Sequence, residues 1–168
     1  MIVVHFFQVF LSTITVKIFH FINGLALGIK AMKFSEYIQY DGLGLAKLVK
    51  DKEVHPSELL QVASEHTHKA NPKLNAIIIP MYEQAKQRAQ QPLTGTFAGV
   101  PFLVKDLFQE YQGVPTSYGS NALKRINYTP DFNAEIVNRW EKAGIVTFGR
   151  TNTPEFGIKG ITEPDAWG

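Results

Sequence analysis

Residues 98–107, Ala-Gly-Val-Pro-Phe-Leu-Val-Lys-Asp-Leu, form a short apolar run that carries a single lysine near its end. In an extended strand successive side chains point to opposite faces, so Lys105 shares a face with Leu103 and Asp106 lies on the other face with Val104. Asp106 is therefore a poor ion-pair partner for Lys105. Because an ammonium stranded among apolar groups is costly, the lysine must be neutral, paired with another group, or directed into water at the strand end.

Helical and extended patterns alternate on both sides of this strand. Apolar runs at 74–79 and 145–148 predict two more buried strands. Strands and helices joined by short loops predict an α/β fold with helices packed around the sheet. The predicted helices span 41–50 with Asp41 as its cap, Pro56 to a stop at Asn71-Pro72, 81–90, and 131–143 with Asp131 as its cap.

Composition narrows the function classes. The 168 residues are 45% hydrophobic and 19% charged, which predicts a folded domain with a sizeable core. A net charge of +2 without a lysine and arginine cluster argues against a nucleic-acid partner. The absence of cysteine excludes disulfides and thiolate chemistry. His66 and His68 are two positions apart on a predicted helix and point in different directions, so we predict no metal site. We also predict no cofactor.

Five blocks of the sequence point to one family. Together they resemble, in the same order, sequence blocks of the amidase signature family of serine hydrolases. The blocks are 71–76 (NPKLNA), 99–106 (GVPFLVKD), 113–120 (GVPTSYGS), 142–146 (KAGIV) and 149–157 (GRTNTPEFG).

The resemblance implies a fold and a substrate class. It implies that residues 32–168 are the amino-terminal part of a mixed-sheet amidase fold, incomplete at Gly168. Two further segments, 75–80 and 162–168, are similar to a branch of the family that opens a cyclic amide. The implied partner is a small-molecule amide, and a homodimer is an open expectation for the intact enzyme.

The resemblance also implies a mechanism. In that family a lysine deprotonates a serine held by a cis peptide bond, and this serine relays the proton from a second serine, which attacks the amide carbonyl. By motif match, Lys105 takes the place of the lysine. The serines of this sequence do not stand in the Gly/Ser-rich setting that the family uses; they are Ser12, Ser35, Ser57, Ser64, Ser117 and Ser120. Residues that act as a unit fail together, so we predict that this chain alone is inactive as an amidase.

The loop at 113–120 is the second candidate site. Ser117, Tyr118, Gly119 and Ser120 are candidate substrate-binding residues, because glycines there allow the backbone to approach a bound molecule closely. Ordinary turns use the same residues, and a serine in a glycine-rich turn often bonds local backbone instead. Both interpretations stay open at this point.

Two function classes follow from these residues. The first is a segment of a hydrolase that cleaves a carboxylic amide C–N bond through a serine acyl-enzyme with lysine as base. The second is a non-catalytic binding or assembly module derived from an amidase. We favour the first, with a cytoplasmic location.

Residues 1–31 differ from the rest of the chain. They contain no acidic residue, only Lys17 and Lys30 as basic ones, and five phenylalanines. Lys17 interrupts the apolar run that a spanning helix needs, and no positive side chain precedes the run as in a signal peptide. This leader is therefore either a mis-assigned start, with translation beginning at Met32, or a weak membrane or export segment. The second alternative would make the protein membrane-associated or exported.

Overall fold

The structure is a computed structural model and describes residues 31–168. The expectations for the leader lie outside the described residues. Within 31–168, six helices, three strands and one short 3₁₀ turn follow one another. The helices are α1 (Phe34–Tyr37), α2 (Gly42–Lys50), α3 (Pro56–Leu74), α4 (Tyr82–Ala89), α5 (Asn121–Arg125) and α6 (Glu135–Lys142); the strands are β1 (Ile77–Pro80), β2 (Pro101–Lys105) and β3 (Val146–Thr151), and the 3₁₀ turn is Glu155–Gly157.

The three strands form one mixed sheet in the order β1-β3-β2. Strand β3 lies in the centre, antiparallel to β1 and parallel to β2. Pro101 pairs with Val146 at one end of the parallel ladder, and Lys105 pairs with Thr151 at the other. The predicted mixed α/β fold is confirmed.

Helices cover the sheet on two sides. A core cluster joins Leu60 of α3 and Ala85 of α4 to Val146 and Phe148 of β3. On α6, the Trp140 ring lies 5.0 Å from the Phe102 ring of β2. The sheet is thus held between apolar helix faces, and burial of these side chains is the main source of its stability.

Two predicted helix starts are confirmed by their caps. Asp41 accepts a hydrogen bond from the Gly44 N–H at 2.7 Å, as an N-cap carboxylate should. Helix α3 begins at Pro56, and His55 caps it: its Nδ1 accepts from the Ser57 N–H at 3.2 Å. The imidazole nitrogen thus takes the place of the serine or threonine hydroxyl that usually caps a helix.

The predicted stop at Asn71-Pro72 is wrong. Helix α3 continues through Pro72 to Leu74 and ends at Asn75, whose left-handed backbone (φ 45°) closes the last turn. Proline removes only one N–H there, and the Asn71 side chain fixes the chain that leaves the helix by bonding both the N–H and the C=O of Ile77 at 2.8 Å. The proline therefore lies in the last turn of the helix without breaking it.

The predicted cap at Asp131 is also wrong, because α6 begins only at Glu135. The intervening backbone is committed to tertiary contacts. Pro130 O accepts from Gly113 N–H, and Ala134 N–H donates to Glu110 O, each at 2.9 Å. These bonds fasten residues 130–134 to the loop after β2, so the segment cannot enter the helix.

No helix within residues 31–168 is long and apolar enough to cross a membrane.

Candidate active site

Lys105 lies at the carboxyl end of β2 with its side chain exposed. Its backbone is held from two directions: the Lys105 N–H donates to Gln109 Oε1 at 2.6 Å, and the Lys105 C=O accepts from Arg150 Nη1 at 3.2 Å. The next residue continues the strand ladder, since the Asp106 N–H donates to Thr151 O at 3.1 Å. Of the three states open to this lysine, the described residues show an amine directed outward at the strand end.

Asp106 lies on the other face of the strand, fully buried, as the alternation of side chains predicts. Its partner is not Lys105 but Arg150, also fully buried, with Nη1 3.7 Å from Asp106 Oδ1. Three donors satisfy the carboxylate: Thr116 Oγ1 at 2.7 Å, Ser117 Oγ at 2.5 Å, and the Ser117 N–H, shared at 3.0 Å to one oxygen and 3.1 Å to the other. These hydrogen bonds offset the cost of burying the carboxyl group in the protein interior.

The Arg150 guanidinium compensates the Asp106 charge without a close contact. Burial lowers the pKa of Arg150, while Asp106 and Glu110 act in the opposite direction. Its Nη2 donates to Gln109 O at 2.9 Å. The guanidinium therefore binds two backbone carbonyls at the turn that follows β2, those of Lys105 and Gln109. This buried pair thus ties β3 to the turn at the end of β2.

The candidate substrate-binding residues differ in their hydrogen bonds. Ser117 is buried, and its hydroxyl donates to Asp106 while it accepts from the Gly119 N–H at 3.1 Å. Ser120 is buried at the start of α5 but makes no side-chain cap bond to that helix. The Ser117 hydroxyl is therefore fully engaged within the fold.

Gly119 is required by both its backbone and its surroundings. Its φ is +70°, and an added Cβ would lie 2.7 Å from Thr153 O. Gly113 has a similar φ of +73° but open space around the same position. The two glycines therefore share backbone strain and differ in steric contact.

We expect Gly119→Ala to destabilise the protein by about 1–3 kcal/mol more than Gly113→Ala, because only the first forces overpacking against backbone. The loss of unfolded-state entropy is common to both substitutions and cancels in the difference. Urea unfolding of the two variants measures it. Equal free energies of unfolding would show that the backbone at Thr153 moves aside for the added Cβ at no cost in stability.

Tyr118 stands between two other aromatic rings. Its ring centroid lies 5.3 Å from that of Phe108 and 6.1 Å from that of Phe156, and its hydroxyl donates to Glu110. All three aromatic residues have left-handed backbones, with φ of 52°, 53° and 47°. Such strain in non-glycine residues gathers at functional sites. Burial, followed by the bond to Glu110, raises the pKa of Tyr118 above its usual value.

Tyr118→Phe is expected to weaken the loss of stability at alkaline pH. Tyr118 stays protonated in the folded protein at pH values where the unfolded chain releases the proton. The stability that this difference contributes is complete below pH 10 and falls as the pH rises further. Urea unfolding at neutral pH and again above pH 10 gives the slope, with exposed Tyr40→Phe as the control. A slope identical to that of the unsubstituted protein would contradict the raised pKa.

Trp167 closes the site from the far end of the described chain. Its indole Nε1–H donates to Ser117 Oγ at 2.8 Å, and Lys124 Nζ lies 3.8 Å from the centre of its ring. The Asn152 side chain donates to Gly168 O at 3.2 Å, which fastens the same segment to the residue after β3. Residues 164–168 therefore pack directly against the Asp106 and Ser117 network.

Sequence reasoning missed three residues of this site: Gln109, Arg150 and Trp167. Of these, Arg150 left a signal, because a lone cation in the buried strand β3 requires a buried anion, and Asp106 directly follows the neighbouring strand β2. Gln109 and Trp167 act through turns whose paths no local pattern specifies.

Comparison with known proteins gives a consistent result. The amidase family model matches residues 58–168. The chain is 41% identical over 128 residues to the 6-aminohexanoate-cyclic-dimer hydrolase of Paenarthrobacter ureafaciens, covering 76% of this chain and 26% of that protein. It is 34% identical over 136 residues to the lipoamidase of Enterococcus faecalis, covering 80% and 18% respectively.

A solved structure of 6-aminohexanoate cyclic dimer hydrolase shares the fold. The TM-score is 0.74 at 40% sequence identity, over 77% of this chain and 26% of that one. The chain thus spans about a quarter of the length of the first of these relatives.

Proposed function

The chain belongs to the amidase family, and from this membership we propose that it contributes the general base, Lys105, to the hydrolysis of a carboxylic amide C–N bond. The arrangement of Lys105 carries the proposal. Its N–H and C=O are both fixed by side-chain contacts, while its amine stays exposed at the strand end. A base held in this way is pre-positioned and accessible to a hydroxyl partner.

The proton path follows the family's chemistry. In that chemistry the lysine amine, in its unprotonated form, takes the proton of a relay serine, which takes the proton of the nucleophilic serine as that oxygen bonds to the amide carbonyl carbon. The protonated lysine returns its proton by the same path to the leaving nitrogen as the C–N bond breaks. Water then hydrolyses the acyl-serine. The 168 residues contain no Gly/Ser-rich stretch that would supply both serines, so we propose that the chain by itself hydrolyses no amide above background.

The proposed substrate is a small carboxylic amide, with a cyclic amide first among the candidates. Support comes from the 41% identity to a cyclic-dimer hydrolase, together with 34% identity to a lipoamidase. We further propose that residues 32–168 are the amidase part, that the protein is cytoplasmic, and that the complete enzyme is a homodimer.

A chimera tests the proposal. In the P. ureafaciens hydrolase, the segment aligned with this chain is replaced by the matching 128 residues of this chain. We expect this chimera to hydrolyse the cyclic dimer of 6-aminohexanoate, while the same enzyme with the segment deleted does not. The assay measures the free amine that hydrolysis releases.

A chimera that melts as cooperatively as the parent hydrolase but releases no amine from cyclic or linear amides would overturn the catalytic proposal. That outcome would favour the alternative, a non-catalytic binding or assembly module.

A further inference from the structure

The buried pair of Asp106 and Arg150 has no role in the proton path, yet it lies directly behind Lys105. Both side chains are fully buried, which is expensive for two charges. Their closest approach is 3.7 Å, beyond hydrogen-bond distance, so the guanidinium directs its hydrogen bonds elsewhere. Those bonds go to Lys105 O at 3.2 Å and Gln109 O at 2.9 Å.

Two sets of hydrogen bonds consequently fix the turn from 105 to 109. From inside the turn, Gln109 Oε1 accepts the Lys105 N–H at 2.6 Å. From β3, the Arg150 fork binds the two carbonyls that flank the turn. The strand ladder holds β2 only as far as the Asp106 N–H, so past that point Arg150 is the link to the sheet.

The remaining contacts hold the pair itself in place. Asp106 cannot rotate without breaking its bonds to Thr116 and Ser117. The Ser117 hydroxyl in turn accepts from the Trp167 indole at 2.8 Å. A continuous series of polar contacts therefore runs from Trp167 through Ser117 and Asp106 to Arg150.

From this series we infer that Arg150 is a positioning residue for Lys105, and that Asp106 and Ser117 serve Arg150 by fixing its charge partner. The role of Lys105 as a base rests on the proposed function, but the positioning of its backbone by Arg150 does not. Arg150 sets the backbone from which the amine projects, and it touches no substrate. Ser117 takes its place in this unit, in contrast to the substrate contact that its turn suggested.

Lysine cannot replace arginine in this role, because an ammonium is a point donor and cannot bind two carbonyls in the fixed geometry of a guanidinium. Arg150→Lys keeps the charge beside Asp106 and removes the fork. We expect the Lys105 amide to exchange its hydrogen about ten-fold faster in this variant, the effect of losing one net hydrogen bond. The Val146 amide, which donates to Val100 O at 2.8 Å, should exchange at an unchanged rate.

Arg88→Lys is the matched control. Arg88 also binds two backbone carbonyls, Glu141 O and Ile145 O, each at 2.7 Å, but these carbonyls belong to α6 and to the residue before β3, not to the Lys105 turn. Hydrogen exchange followed by NMR on the 168-residue chain separates the two variants residue by residue. Faster exchange at Lys105 in Arg150→Lys alone supports the inference; equal rates at Lys105 in both variants overturn it.

A second variant covers the case in which Arg150→Lys does not fold. Ser117→Ala removes one donor to Asp106 and is expected to accelerate the Lys105 amide several-fold, while Ser35→Ala, at an exposed serine, leaves it unchanged. An unchanged Lys105 amide in Ser117→Ala also overturns the inference. These readouts need no turnover, so a chimera that melts cooperatively but is inactive would overturn the proposed function and leave the positioning result unchanged.

Discussion

The Lys105→Met variant of the chimera is expected to hydrolyse the cyclic amide about 10²- to 10⁴-fold more slowly than the chimera itself, the usual contribution of a general base. Methionine keeps the length and apolar stem of the side chain and removes the amine. The loss should fall on kcat, because the amine acts on the reacting hydroxyls and not on the bound substrate. Steady-state kinetics separates kcat from KM.

Two further variants define the cause of that loss. Lys105→Arg keeps a cation that cannot give up its proton at any working pH, so it should be as inactive as Lys105→Met. Lys86→Met, at an exposed lysine of α4, should keep full activity. Substantial turnover by Lys105→Arg would mean that a positive charge is enough, and Lys105 would not be the base.

Arg150→Met is expected to lower the free energy of unfolding by about 3–5 kcal/mol, the cost of leaving one charge of a buried pair without its partner. Asp106 would remain fully buried with a negative charge, and two carbonyls would lose their donors. Urea unfolding of the 168-residue chain measures the difference. Arg139→Met is the control, since Arg139 pairs with Glu135 on the exposed face of α6 and should change stability little.

The double variant Asp106→Asn, Arg150→Met tests the reason for that loss. Asparagine carries no charge, and its single oxygen can still accept from Thr116 Oγ1 and the Ser117 N–H, whereas its amide nitrogen cannot accept the Ser117 hydroxyl. If an uncompensated carboxylate causes the destabilisation, the double variant should be more stable than Arg150→Met alone. A double variant that is no more stable would assign the loss to the two orphaned carbonyls.

The sequence predicted those features that depend on neighbours in the chain. Asp41 caps α2 and Pro56 opens α3 because capping and proline geometry act within one helical turn. Alternation along 101–106 placed Lys105 and Asp106 on opposite faces for the same reason. The family resemblance, which rests on ordered blocks of residues, is confirmed by the comparisons.

Features set by distant contacts were missed. Asp131 has the chemistry of a helix cap, but the backbone from 130 to 134 is bound to the loop after β2, and the helix starts later. Pro72 would ordinarily stop a helix, and here α3 continues to Leu74, while Asn71 fixes the chain beyond it through its bonds to Ile77. The Arg150 partner of Asp106 likewise becomes evident only once β2 and β3 are known to be neighbours.

The order of the strands has a consequence for how the chain acquires its structure. Every ladder among the described residues joins distant segments, since Ile77 pairs with Thr151 and Pro101 with Val146. No hairpin can start the sheet locally, so the entropy of closing long loops must be overcome before any strand contact repays it. We expect α3 and α4 to form early and the sheet to assemble late, on the millisecond-to-second scale of topologies with non-local pairing.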